Sequence, residues 1–375
     1  MRSLTIAVCT LAMTAAGAAA QRPDSAAFII RLGTDTTVVE RYVRTPDRLE
    51  VEAVQRAPRT MLHRMTYELV AHGRVRGARY EVRRPEGGEP LLVRTITFVG
   101  DSARIETTQG SRTTTQRVAA RDAIPVAGPF YTPYELATMR AAGKGPARVT
   151  LLTGGGTVEI PVERGGDTVR LTNQFQEPMR ARVDARGRLL RLDTPAYTSV
   201  ERLGWVDLPA LAREFAGRDA AGRAMGPLSP RSTFREKVGE ANLWIDYSRP
   251  AMRGRPIWGG LVPWGRVWRM GANDAAHLAT DCTLEVGGLT LPPGTYTLFL
   301  LPAENGEWQL IFNRATGVSG LEYDMAQDVG RVPLRLERLN EPVEQFTLSV
   351  GTVEGAPMLR LAWDRIRASV PLRVR

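Results

Sequence analysis

Met61-Leu62-His63-Arg64-Met65-Thr66-Tyr67-Glu68-Leu69-Val70 places every second residue on one face. Met61, His63, Met65, Tyr67 and Leu69 form an apolar row, and Leu62, Arg64, Thr66, Glu68 and Val70 form the other. A period of two belongs to a half-buried strand, whereas a helix would repeat near 3.6. The same alternation extends outward from Ala26 to about Leu203, broken by Gly33-Thr34-Asp35, Pro46-Asp47, Pro85-Glu86-Gly87-Gly88, Gly100-Asp101, Gly165-Gly166-Asp167 and Ala185-Arg186-Gly187. Short strands joined by tight turns predict an antiparallel meander or half-barrel.

Two helices interrupt it. Thr132-Pro133-Tyr134-Glu135 reads as a capping box, with Thr132 as N-cap, Pro133 at the first helical position and Glu135 at the third. A second helix is expected from about Asp207 to Phe215, burying Leu208, Leu211 and Phe215. From Gly217 to Pro230 the periodicity is lost, which marks a linker at 217–228 between a first β domain at 21–216 and a second at 229–375.

In the second domain, Ala241, Leu243, Ile245 and Tyr247 alternate with Asn242, Trp244, Asp246 and Ser248. Further strands are expected at 278–286, 294–301, 307–313, 343–353, 357–364 and 366–374. With almost no helix signal, a β-sandwich is the economical architecture, and the chain as a whole is mainly β. Cys282 falls in the alternating run 278–286, which predicts a thiol packed on a buried strand face.

Several strings in this half carry a family resemblance. They include Asp246-Tyr247-Ser248-Arg249-Pro250, Ile257-Trp258-Gly259-Gly260-Leu261-Val262-Pro263-Trp264-Gly265, Val267-Trp268-Arg269-Met270-Gly271-Ala272-Asn273 and Leu291-Pro292-Pro293-Gly294-Thr295-Tyr296. Together they resemble the DUF2911 family over essentially all of 229–375. Asp274 stands where that family has Glu, and His277 where Thr is more usual. The family implies no activity, so no catalytic residue is carried over. The first domain is similar, at fold level alone, to the curved half-barrels of periplasmic lipid carriers. That likeness leaves two options, a sheet closed over its own core or an amphiphile-sized groove.

The first twenty residues read as a secretory signal: Arg2, then an apolar run from Leu4 to Gly17, then Ala18-Ala19-Ala20 before Gln21. The run falls short of the ~20 residues a membrane-spanning helix needs. The expected protein is therefore exported to the periplasm or beyond the cell, without a transmembrane segment, leaving peripheral envelope association open. If Cys9 departs with the signal, Cys282 has no partner for an intramolecular disulfide. The net charge of +10 does not point to nucleic acid. All but Lys144 and Lys237 of the 50 basic residues are arginines, and they alternate with acids along strands, as in Arg180, Arg182 and Asp184. A nucleic-acid binder clusters its charge on one face.

The stretch Arg249–Asp274 breaks the alternation and sets Trp258, Trp264 and Trp268 among Arg253, Arg255, Arg266 and Arg269. A long irregular connection inside a small β domain is usually functional. Guanidinium forks grip anions, and indole faces suit cations and sugar rings. Arg253, Arg255, Trp258, Trp264, Trp268, Arg269 and Asn273 are the candidate ligand-binding residues, for an anionic or sugar-like small molecule. The competing reading is that the arginines pin the loop to the sandwich.

No Gly-x-Ser-x-Gly, phosphate-loop, His-Glu-x-x-His or Cys-x-x-Cys motif occurs. Nor does any spacing of metal ligands, so neither metal nor cofactor is expected. Asp246, Asp274 and His277 are weak catalytic candidates, and His63 on its apolar strand reads as structural. The Glu322-Tyr323-Asp324 cluster with Asp328 and Arg331 reads as a capped loop or short helix. The leading function is a non-catalytic binding or envelope-associated protein, with the Trp/Arg loop facing a polar or anionic ligand. A hydrolase acting on sugar or lipid and a structural scaffold are the alternatives.

Overall fold

A computed structural model describes residues 24–143 and 146–375. The expected signal peptide and its cleavage point lie outside the described residues. Among those described, no helix is long and apolar enough to cross a membrane. The protein is mainly β, with two sheets and two short α-helices.

The first sheet has fifteen strands. Eight follow one another up and down, from Asp24–Leu32 to Arg112–Ala119. After α1 (Thr132–Arg140), six more run from Ala147–Thr153 to Thr198–Leu203, and the last pairs with the first, Ile30 opposite Val200. The two-residue strand Ile124–Pro125 adds a parallel pairing at one edge. Gln116 Nε2 donates to Gly154 O (3.4 Å) and Thr157 Oγ1 to Ala119 O (3.3 Å), so the two sheet edges approach each other.

The alternation at 61–70 has the expected consequence. His63, Met65, Tyr67 and Leu69 are buried while Arg64 and Glu68 are exposed. Their inward row meets Ala53, Val51 and Leu49 of the next strand in register. The hollow of the sheet is filled by the chain itself: Ile124, Phe130, Tyr134, Leu136 and Ala137 join Phe28, Tyr42, Met65 and Tyr67 in one core. Tyr67 donates its hydroxyl to Pro125 O at 3.0 Å, which anchors the segment leading into α1.

The capping box does not form. Tyr131 occupies the N-cap without a side-chain cap bond. The orphan N–H groups of Tyr131 and Thr132 instead donate to Glu40 of the Asp35–Arg44 strand, at 2.8 and 2.9 Å, and Thr132 Oγ1 donates to it at 2.7 Å. A carboxylate at a helix N-terminus satisfies those donors and the helix dipole together. Glu135 is drawn the other way, accepting from Arg202 Nη1 (2.6 Å) and Leu189 N (2.8 Å). Burial pushes the Glu40 carboxyl up to about 7, against the lowering effect of these hydrogen bonds.

The second helix, α2 (Leu208–Ala220), is capped by Asp207, whose side chain accepts from Ala210 N at 3.0 Å. It lies on the outer face of the sheet, with Leu208, Ala212 and Phe215 over Val39 and Val54. It continues past Gly217, so the first part of the expected linker is helix. Asp219 near its end accepts from Thr60 N (2.6 Å), which holds that extra turn to the sheet.

The second sheet has nine strands. The Arg231–Val238 and Ala241–Ser248 hairpin leads to Ala276–Thr280, Gly294–Leu301 and Trp308–Asn313. Two long strands, Asp328–Val353 and Ala356–Val374, then carry the sheet round to Leu284–Val286 and Leu289–Leu291. Both ends share one core, where Val238 and Leu243 meet Leu284, Val286 and Leu372. Two expectations change here. The segments expected as three strands after 343 are two continuous ones, and they begin earlier, at Asp328. Register shifts between Arg338 and Thr347, and a positive φ at Asp364, bend the hairpin without ending it. The run 278–286 is broken after Thr280, so Cys282 sits half-buried in a bend instead of within a strand.

Candidate functional site

The Arg249–Asp274 stretch is indeed irregular, held by isolated bridges such as Trp268 to Leu300. Ile257, Val262 and Met270 are buried and root it in the second core. Its indoles form a cluster with two from the strands. Trp258 lies 4.5 Å from Trp308 between ring centroids and 6.2 Å from Trp363. Trp268 stacks on Trp363 at 5.6 Å and meets Phe346 edge-on at 5.0 Å, while Trp264 lies 6.0 Å from Trp308. Trp258 Nε1 donates to Trp363 O at 3.3 Å. Gly259, at φ +79°, allows the tight approach of Trp264, whose Nε1 would lie 2.4 Å from any added Cβ.

The arginines divide by role. Arg253 forms an ion pair with Asp35, its N–H donates to Glu344 Oε1 (2.9 Å), and its carbonyl accepts from Thr34 N (2.9 Å). The Gly33-Thr34-Asp35 turn of the first sheet thus rests directly on it. Arg255 is 7% exposed and donates from Nε to Met252 O (2.9 Å), from Nη1 to Ala196 O (3.2 Å) and from Nη2 to Ala251 O (2.5 Å). Ala196 lies in the turn joining two strands of the first sheet, so this guanidinium also spans the two. Burial, then the neighbouring Arg253, holds Arg255 below the ordinary arginine value.

Arg269 is different. It is half-buried, and among the described residues the one hydrogen bond of its side chain runs from Nη1 to Asn273 O at 3.0 Å. Burial lowers its pKa, opposed by the charges of Glu177 and Asp274. Its stem passes over Gly320, where an added Cβ would lie 2.1 Å from Arg269 Cδ. Asn273 is exposed and takes φ +63°. Between the sheets is a cleft of about 300 Å3, walled by Leu32, Glu177 and Ala196 on one side and by Trp268, Arg269 and Trp363 on the other. Arg255 also reaches its wall, whereas Trp258 and Trp264 are not among its lining residues.

The weak catalytic candidates come together on the outer face of the second sheet. Asp246 lies directly opposite His277 across the strands. Arg231 grips Asp246 with both arms, Nε to Oδ1 (2.8 Å) and Nη2 to Oδ2 (2.6 Å), and Thr233 Oγ1 adds a third bond at 3.1 Å. Asp274 is exposed, 4.0 Å from Arg231. Asp246 is held below the usual carboxylate range; Arg231 and Thr233 outweigh the desolvation that opposes them. His277 is lowered by burial and by Arg231, and its Nε2 accepts from Gly317 N at 3.4 Å. His63 is buried with Nδ1 2.8 Å from the Tyr80 hydroxyl, and burial lowers its pKa to about 4. Asp324 caps the short 3₁₀ helix Met325–Gln327, as the capped-loop reading expects, and Asp328 takes Tyr323 (2.6 Å) and Arg331 (2.9 Å). No three His, Cys, Asp or Glu side chains gather as metal ligands among the described residues.

Sequence reasoning missed Glu177, Trp363 and Gly320, and it missed Asp35 as the partner of Arg253. It missed Arg231 too, whose register with Ser248, diagonal to Asp246, is set by the Val238–Ala241 turn.

Residues 229–372 match DUF2911, a protein family of unknown function. The matched stretch holds the entire Trp/Arg loop, and the cleft forms where it meets the first sheet. No curated protein matches the chain. Among solved structures, a crystal structure of a β-barrel-like protein of domain of unknown function DUF1849 from Brucella abortus is similar at 10% identity and a TM-score of 0.34. The similarity covers 49% of this chain and 96% of that one.

Proposed function

We propose that the protein is an exported, non-catalytic binding protein whose ligand enters the cleft between the two sheets. Arg269 is the residue that meets the ligand. One observation carries this reading: a half-buried guanidinium faces a cleft with a single carbonyl as its hydrogen-bond partner among the described residues. A desolvated cation with open donors favours an anion or a polar oxygen-rich group. Trp268, stacked on the fully buried Trp363, gives the cleft an apolar wall, and the volume suits a small ligand. Arg253 and Arg255 position the walls through contacts they already make with the first sheet. The Arg231 fork on Asp246 favours binding over hydrolysis, because it keeps that carboxylate engaged and ionised.

Calorimetric titration with uronic acids, sugar phosphates and glycerophosphates tests this. Arg269→Ala should weaken the binding found by roughly ten- to a hundredfold, as expected for one charge-assisted contact. Equal affinity in wild type and variant would sink the assignment. The second reading, a scaffold, rests on the Arg253 and Arg255 contacts that tie the sheets together. It predicts no ligand from the panel and no effect of Arg269→Ala beyond a small change in stability.

A further inference from the structure

On the outer face of the first sheet, one row across four strands reads Glu163, Arg170, Arg180 and Asp193. The register places Arg170 opposite Glu163 on one side and opposite Arg180 on the other, with Asp193 beyond Arg180. Directly opposed side chains in antiparallel strands start ~5 Å apart, and like charges so placed destabilise the sheet. The nearby acids do not relieve this pair. Asp193 gives both oxygens to Arg191, at 2.8 Å each, and Asp167 pairs with Arg182 at 3.5 Å. Among the described residues, neither Arg170 nor Arg180 has a carboxylate within ion-pair distance.

The row borders an open concavity of about 640 Å3, lined also by Thr172, Met179 and Thr194. The Thr172 hydroxyl oxygen is buried without a hydrogen-bond partner. A rotation about its Cα–Cβ bond that turned the hydroxyl toward the hollow would offer a donor beside the two guanidinium groups. This hollow adjoins the cleft, since Pro195 lines both.

We propose that Arg170 and Arg180, with Thr172, form an oxyanion subsite that takes a phosphate, sulfate or carboxylate group. An oxyanion between two planar forks accepts paired hydrogen bonds from each and cancels their repulsion. The subsite is independent of the cleft reading, because a free ion tests it with the cleft empty.

The experiment follows the melting temperature of the full chain against inorganic phosphate, with ionic strength held constant by chloride. A saturable rise in the wild type is expected. Arg180→Gln should abolish that rise, and in chloride alone it should melt no lower than the wild type, because the opposed charge is gone. Arg170→Gln should behave alike, which guards against one variant misfolding. Glu163→Gln should tighten the apparent affinity about threefold by removing a neighbouring anion. Arg269→Ala should keep the rise, which separates this subsite from the cleft. Sulfate and glucuronate arms identify the preferred group by the largest saturable shift. No saturable shift with any of the three, or one unchanged in both arginine variants, overturns the proposal.

Discussion

Replacing Arg255 with Ala removes three hydrogen bonds from a side chain that is 7% exposed. At ~1.5–3 kcal/mol for each bond from a charged donor, the gross loss would exceed about 4 kcal/mol. Two effects offset part of it. Removing the guanidinium also removes the penalty for burying it, which amounts to several kcal/mol for an unpaired ion. The Ala196 carbonyl, in a half-buried turn, regains water. The net expectation is a loss of about 2–4 kcal/mol. Arg255→Lys should recover little, since one ammonium cannot span three carbonyls as the planar fork does. Urea denaturation followed by tryptophan fluorescence is the assay, because the loop carries three indoles and packs against Trp308 and Trp363. A change below about 0.5 kcal/mol, the range of an ordinary surface substitution, would refute the pinning role.

Gly33→Ala should weaken the same contact from the other side, by at least 1–2 kcal/mol, because Gly33 takes φ +60° and an added Cβ would lie 2.0 Å from Arg253 O; a neutral result in the same urea assay would count against the turn resting on Arg253. Glu40 gives a pH signature. Between about 4.5 and 7 the folded chain keeps a proton that the unfolded chain has released, so stability falls as pH rises through that window, by about 3 kcal/mol in all. Glu40→Gln should remove that slope, and parallel pH profiles for variant and wild type would contradict it. Asp246→Asn should lower stability by no more than about 1 kcal/mol, since its pairing with Arg231 is part-exposed; a larger loss on urea denaturation would show that the cluster supports the sheet.

The first sheet is readable because its alternation is strict and its turns are marked by Gly, Pro and Asp. What the local pattern hides is closure. Nothing near Ile30 announces Val200 as its partner, because pairing across so long a separation leaves no local signal. Glu40 shows the same limit. It shares the inward row of Val38 and Tyr42, so the sequence places a charge on an apolar face, but the helix end that it caps lies far along the chain. The capping box failed for that reason: Thr132 and Glu135 have the right spacing, yet tertiary partners took both side chains. The long strands read as shorter pieces because the pairing shifts register between Arg338 and Thr347, and the chain stays in the sheet there without a local pattern to announce it. In the loop, composition marked the segment, while the division between Arg253 and Arg255, which bind backbone and turn across the sheets, and Arg269, which faces the cleft, exists only in three dimensions.

The most direct test compares ligand-induced stabilisation in three proteins: wild type, Arg255→Ala and Arg269→Ala, each melted with and without the tightest compound from the titration panel. The expected result is a ligand-dependent rise for wild type and for Arg255→Ala, the latter from a lower starting temperature. Arg269→Ala should start at the wild-type temperature and rise little or not at all. An unchanged ligand-dependent rise in Arg269→Ala would contradict the assignment of the cleft as the binding site.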